Sequence, residues 1–296
     1  MIGRDFGLEL TGVRLQDLGA DEVDTVMDLY SRFPLLVFHD QDLTPDEYLA
    51  FGRHFGDLQD HTRQEFVLPG YPTIYVLSNK VVDGKPIGVH KDGMGWHTDG
   101  TYVAKPLETT MLYSLEVPPE GGDTLFADTR SAFSDLDDEL KDTIRGQDVL
   151  HSFEHLLGFL NPTARTDITD EQRAANPEVR HPLVITRDDG SEYLYLTMGS
   201  ARVVVGMDEE ESQALFRQLV AHVTQDRYVH RHVWRAGDVV IWNNLCSMHC
   251  ATAYDDDRYV RHVHRLWIKS PVDLDASAGQ AAEDARGGSD PELSRR

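Results

Sequence analysis

Two short stretches far apart in the chain constrain its fold more than any other feature. They are Trp96-His97-Thr98-Asp99, and His249 at the end of Trp242-Asn243-Asn244-Leu245-Cys246-Ser247-Met248-His249. His-x-Asp sets an imidazole and a carboxylate two residues apart, which on an extended strand is one face. The second histidine stands 150 residues after Asp99. If the three act together, the chain must return onto itself over that distance. Two histidines and one carboxylate leave positions open on a metal, the ligand set of non-haem Fe(II) oxygenases and their dioxygen chemistry. The tripeptide alone reads equally well as a strand histidine beside a solvated aspartate. Its surroundings favour a cavity: Trp96 and Tyr102 supply apolar bulk, and Gly95 and Gly100 let the backbone bend.

The pattern along the chain suggests how such a return is made. Gly7–Val13 reads as a strand, Ala20–Phe33 as an amphipathic helix and Leu35–His39 as an apolar strand. Thr44-Pro45-Asp46-Glu47 is a capping box with proline in the first turn, opening a helix to about Phe55. From residue 71 the texture is β-rich. Strands are expected at 71–78, 95–103, 109–117, 123–128, 181–187, 192–197, 228–234, 238–242 and 259–268, separated by Gly and Pro punctuation. Helices are expected around 131–145 and 208–224. Residues 155–180 are polar and weakly periodic and read as a long loop or lid. Many short strands with flanking helices predict a mainly β fold with a jelly-roll or related closed double sheet. Residues 1–272 are expected to form one domain, and 273–296, rich in Asp, Ala, Gly, Ser and Arg, a disordered tail.

Composition limits the partners. The chain of 296 residues has a formal net charge of −23, which disfavours nucleic acid and anionic membrane surfaces. Runs such as Asp208–Glu211 and Asp255–Asp257 read as solvated surface. Neither a secretion signal nor an apolar run long enough to span a bilayer is visible. The only cysteines, Cys246 and Cys250, flank His249 and form no disulfide framework, which fits a cytoplasmic protein. A homo-oligomer is left open.

A third element is basic. Arg258, Arg261 and Arg265 cluster near Arg261-His262-Val263-His264-Arg265, and on a strand Arg261 and Arg265 share a face. Guanidinium groups directed into a pocket match carboxylates in a bidentate fork, so an acidic ligand is expected. The alternative is a set of surface arginines paired with Asp255–Asp257.

Together these residues resemble the taurine/2,4-dichlorophenoxyacetate dioxygenase (TauD/TfdA) family. The likeness spans about residues 7–268 and rests on Trp96–Asp99, Gly121-Gly122-Asp123-Thr124-Leu125-Phe126, Gly237-Asp238-Val239-Val240-Ile241-Trp242, His249, Arg261 and His264-Arg265, with Phe55-Gly56 and His61 earlier. The resemblance implies a double-stranded β-helix (jelly-roll, cupin-like) core. It also implies Fe(II), the co-substrate 2-oxoglutarate and O2, and oxidation of a substrate C–H bond with release of succinate and CO2. Carried over by position, it implies metal ligands and catalytic residues His97, Asp99 and His249. It implies 2-oxoglutarate contacts from Thr124 and Arg261, with Arg258 the rival because Arg261 lies one residue later than the family spacing. Arg265 and His61 would meet the acid group of a small substrate bearing a carboxylate, sulfonate, sulfate or phosphate. A carboxylate at Asp99, where related halogenating enzymes carry a small residue, favours hydroxylation or another oxidation.

One departure is plain. The family often has Trp-Asp-Asn-Arg where this chain has Trp242-Asn243-Asn244-Leu245, so a polar contact behind the metal is expected to be lost. Two other classes compete: a zinc-dependent hydrolase using the same ligands with an open water position, and a non-catalytic ligand-binding jelly roll. Both leave Gly-Gly-Asp-Thr and the arginine pair unexplained.

Overall fold

The computed structural model describes residues 1–270 apart from Arg4, Thr62 and residues 161–168, so the expected tail lies outside the described residues. The framework is a seven-stranded sheet. Its spatial order is Gly7–Leu10, Leu35–Phe38, Val239–Asn243, Leu107–Glu116, His262–Lys269, Tyr71–Ser78 and Val67–Leu68. A smaller sheet of Val229–His232, Thr124–Asp128 and Ser247–Ala251 packs across it. Phe126 of the small sheet meets Trp242 of the large one with ring centroids 5.2 Å apart, and Leu112, Val240 and Val263 join the same buried cluster.

The apolar runs of the large sheet are continuous because both its faces are covered. In Leu35-Leu36-Val37-Phe38, Leu35 and Val37 face the small sheet, while Leu36 and Phe38 face the helices Ala20–Arg32 and Pro45–Gly52. Val239-Val240-Ile241-Trp242 divides in the same way. Thr44 caps the second helix as expected: its hydroxyl accepts from the Glu47 amide at 3.3 Å, and Glu47 accepts from the Thr44 amide at 2.7 Å. On the outer face of the small sheet, Ala127 and Met248 meet Phe133 of helix Thr129–Ser134 and Phe216, Leu219 and Val223 of helix Glu209–Val223. That spacing places one apolar stripe on the second helix. Fully burying each such side chain is worth about 1.5–3 kcal/mol.

Three expectations need correction. Residues 95–103 form no strand; only His97 pairs, as an isolated bridge to His249. Gly100 explains the interruption. Its φ is +64°, and a Cβ there would stand 2.3 Å from Leu107 Cδ1, so the chain turns sharply against the next strand. The expected strands leave out Ser247–Ala251, which carries His249 and pairs with Thr124–Asp128. The described parts of the expected 155–180 loop include the helices Phe153–Leu160 and Asp170–Ala175, the first carrying the apolar residues Phe153, Leu156 and Leu157 at helical spacing. Among the described residues no helix is long and apolar enough to cross a membrane.

Candidate metal centre and active site

His97 and His249 are brought together by backbone hydrogen bonds. The His97 amide donates to the His249 carbonyl at 3.0 Å, and the His249 amide donates back at 2.8 Å. The rings stand 4.1 Å apart by centroid. Each directs Nε2 at Asp99, with nitrogen–oxygen distances of 3.7 Å in both cases. One ligand atom from each of the three residues lies within 4.8 Å of the other two. Sequence proximity thus supplies two of the three candidate ligands, and the edge strand of the small sheet supplies the third.

The surroundings prepare these atoms for a divalent cation. His97 Nδ1 lies 2.7 Å from the Gly95 carbonyl, which can only accept; Nδ1 therefore donates, and Nε2 is the nitrogen turned to Asp99. Burial, followed by repulsion from His97, lowers the His249 pKa to about 3, so its ring is neutral. Burial works to raise the Asp99 pKa, but His249, Arg265, His97 and the Thr110 hydroxyl outweigh it and set the value at about 2. Two imidazole nitrogens and one carboxylate are the donor set that Fe(II) oxygenases use.

Behind Asp99 runs a polar chain that the sequence did not disclose. Thr110 donates to Asp99 Oδ2 at 2.7 Å, Asn244 Nδ2 donates to the Thr110 hydroxyl at 2.9 Å, and Trp242 Nε1 donates to Asn244 Oδ1 at 2.9 Å. The departure at Trp242–Leu245 therefore does not strip the metal site of support. Asn244 provides it, and Leu245 is buried in an apolar cluster with Ile185 and Tyr195.

One cavity is lined by the three candidate ligands together with Thr124, Arg261 and Arg265. Thr124 is buried, and its hydroxyl accepts from Trp234 Nε1 at 3.0 Å, which leaves its own proton to donate. Arg261 Nε donates to the Gly122 carbonyl at 3.1 Å. Gly122 has φ +66°, and a Cβ there would lie 3.3 Å from Arg261 Cδ and 2.9 Å from Pro118 Cγ, so glycine makes room for the arginine. Among the described residues no ion pair engages Arg261, which suits it to an anion entering the cavity. Its rival Arg258 is exposed, 3.8 Å from Asp255 and outside the cavity.

Arg265 lies deeper and is only 8% exposed. Its guanidinium stacks between Trp267 at 4.3 Å and Tyr75 at 4.9 Å, and Nη1 donates to Asp92 Oδ2 at 3.0 Å. It also lines a larger cavity of about 650 Å³, walled by Met94, Tyr102, Phe153, Leu156, Leu157 and Phe159 among others, that opens onto His97 and Asp99. His61 lines the same space, stacked on Tyr75 at 4.5 Å and tilted against Trp267 at 4.7 Å. Burial, and then Arg265, lower its pKa to about 3, so it is a neutral ring rather than a second cation. Trp96 turns away and packs with the helices over the small sheet. Sequence reasoning missed Asp92, Tyr75, Trp267 and Thr110; no motif marks them, since each matters only through what it packs against.

The family described as "Taurine catabolism dioxygenase TauD, TfdA family" matches residues 2–267. The chain belongs to this family. Among TauD/TfdA relatives, the 2,4-dichlorophenoxyacetate dioxygenase of Burkholderia sp. (strain RASC) is 32% identical over 265 residues, covering 86% of each chain. That of Cupriavidus pinatubonensis is 34% identical over 250 residues, covering 80% of this chain and 85% of the relative. The crystal structure of AAD-2 in complex with Mn(II) and N-oxalylglycine superposes with a TM-score of 0.80 at 30% identity, covering 92% of this chain and 98% of that one. The mainly β fold is accordingly the TauD/TfdA jelly roll. The protein is a 2-oxoglutarate-dependent non-haem iron dioxygenase, with Fe(II) as cofactor and 2-oxoglutarate and O2 as co-substrates.

Proposed function

We propose that this dioxygenase oxidises a C–H bond of a small carboxylate- or sulfonate-bearing substrate with an apolar body, releasing succinate and CO2. The observation that carries the substrate class is Arg265: a buried cation on the wall of a largely apolar cavity that opens onto the metal ligands. Arg265 pairs with Asp92 through Nη1 alone and its Nε has no partner, so donor capacity remains for an acid group, the complementary ligand. The relatives' acidic aryloxyacetate substrate supports the same class.

In this reading His97, Asp99 and His249 hold the metal, and Arg261 with Thr124 holds the distal carboxylate of 2-oxoglutarate. That charge-assisted contact is worth about 1.5–3 kcal/mol. Fe(II) with 2-oxoglutarate and O2 supplies the oxidising power when bound. The protein's own groups position and shield: Arg265 anchors the acid, the aromatic and aliphatic wall orients the body, and His61 offers a neutral ring beside the anchor. No side chain needs to act as a general base. Residues 1–272 would form the catalytic unit. The cytoplasm is the compartment assigned, which agrees with both cysteines being free.

The test is anaerobic loading with Fe(II) and 2-oxoglutarate, followed by oxygen and a panel of aryloxyacetates, alkyl sulfonates and their neutral amides. Succinate formation coupled to acids and not to amides, with KM raised at least tenfold in Arg265→Ala, is expected. Equal turnover of amides, or an unchanged KM in the variant, would exclude the anionic class.

A further inference from the structure

The group that already sits on Arg265 is Asp92. Its carboxylate receives the Arg265 Nη1 donor at 3.0 Å, while Arg265 Nε is buried without a partner. The Asp92 side chain is itself more than a third exposed and lines the metal cavity, the 650 Å³ cavity and a third cavity of about 270 Å³ beside Arg261. It therefore borders all three spaces while remaining in contact with solvent.

Lys91 before it has φ +60° and Gly93 after it φ +73°, so Asp92 stands between two left-handed residues. The strap is held from outside, because His90 Nε2 and Lys91 Nζ both meet Asp256 Oδ2, at 2.7 and 2.9 Å. Residues 90 and 91 are thus pinned, and Asp92 follows directly on that pinned pair.

Resting on the reading of Arg265 as the substrate's anchor, we propose that Asp92 is a specificity-determining residue. It acts as a built-in competitor that neutralises Arg265 in the substrate-free enzyme and is displaced by the acid group of the substrate. A buried guanidinium without a counter-charge is costly, and Asp92 removes that cost until substrate arrives. Binding then exchanges one carboxylate for another acid at the same cation. The apparent affinity is reduced by the fraction of molecules in which Asp92 is undocked. Acids that pair well with guanidinium can make the exchange; neutral isosteres gain nothing from Arg265 and cannot displace Asp92.

The experiment is calorimetric titration of phenoxyacetate, with phenoxyacetamide as neutral control, into protein loaded with Mn(II) and N-oxalylglycine. Wild type, Asp92→Asn, Arg265→Gln and the double variant are compared. Asp92→Asn should bind phenoxyacetate about tenfold tighter, the factor for a docked state holding roughly nine molecules in ten, with phenoxyacetamide unchanged. Equal or weaker phenoxyacetate binding by Asp92→Asn, while Arg265→Gln still weakens it, overturns the competitor role and leaves the anchor standing. If Arg265→Gln has no effect, or neither wild type nor Asp92→Asn binds phenoxyacetate, the anchor reading fails and this proposal with it. Methanesulfonate gives a second reading through the thermal midpoint. It should raise that of Asp92→Asn more than that of wild type, and equal shifts overturn the proposal.

Discussion

Thr110 stands in the middle of a buried chain of donors that ends on Asp99, and its hydroxyl is matched on both sides. Replacing it with valine keeps the volume and removes the donor, leaving Asn244 Nδ2 and one Asp99 oxygen unpaired inside the protein. We expect Thr110→Val to weaken Fe(II) or Mn(II) binding about 10- to 100-fold, the range for groups that support metal ligands, as measured by metal titration. Affinity within a factor of two of wild type would mean that the hydroxyl does not hold Asp99. The residue types of the candidate ligands were legible in the sequence because metal chemistry restricts them to few choices. Thr110 was not, because a threonine in an apolar strand declares nothing about what lies across the fold.

At the scale of elements, the strand Thr124–Asp128 connects the site to the helices that cover the small sheet. It carries Thr124 at one end, and at the other Asp128 caps helix Thr129–Ser134, accepting from the Arg130 and Ser131 amides at 3.0 and 3.1 Å. Loss of such a cap costs about 1–2 kcal/mol. Asp128→Ala should therefore lower the unfolding free energy by that amount, read as a lower urea midpoint at an unchanged slope; stability equal to wild type would show the cap to be dispensable. Strands with alternating or continuous apolar patterns were legible because each side chain reports which face is covered. The 95–103 segment was misread because Gly100 must yield to Leu107, a contact made only when the strand beginning at Leu107 is in place. The turn puts Asp99 opposite both histidines, a geometry an uninterrupted strand would not give.

For the whole molecule, burial of neutral histidines sets the response to acid. His61 and His151, neither of them a candidate metal ligand, are held near pKa 3, His61 by burial and then Arg265, His151 by burial and then His181. In the unfolded chain each titrates near 6.5. Between those values the unfolded chain binds more protons, so stability rises with pH and is lost as pH falls from 6.5 toward 3, by about 1.4 kcal/mol per pH unit for each histidine. Asp99, depressed to about 2, adds a loss in the same direction below about pH 4. Urea midpoints should fall steadily from pH 6.5 to 4.5, and His151→Asn should flatten the profile. A profile that is level across that range in the native chain would contradict the burial of neutral rings.

The sequence by itself determined the chemistry available: two imidazoles and a carboxylate for a metal, Thr124 and a run of arginines for anions, and enough covered strands to close a double sheet. Those are properties of residue type and local pattern, and they survive in one dimension. The tertiary structure alone decided that Arg261 and not Arg258 faces the metal cavity, that Asn244 supports Asp99 through Thr110, and that Asp92 rests on Arg265. Each of these depends on two segments distant in sequence meeting within hydrogen-bond or packing distance. No propensity or spacing encodes that meeting until both faces of the sheet are covered and the chain has closed on itself.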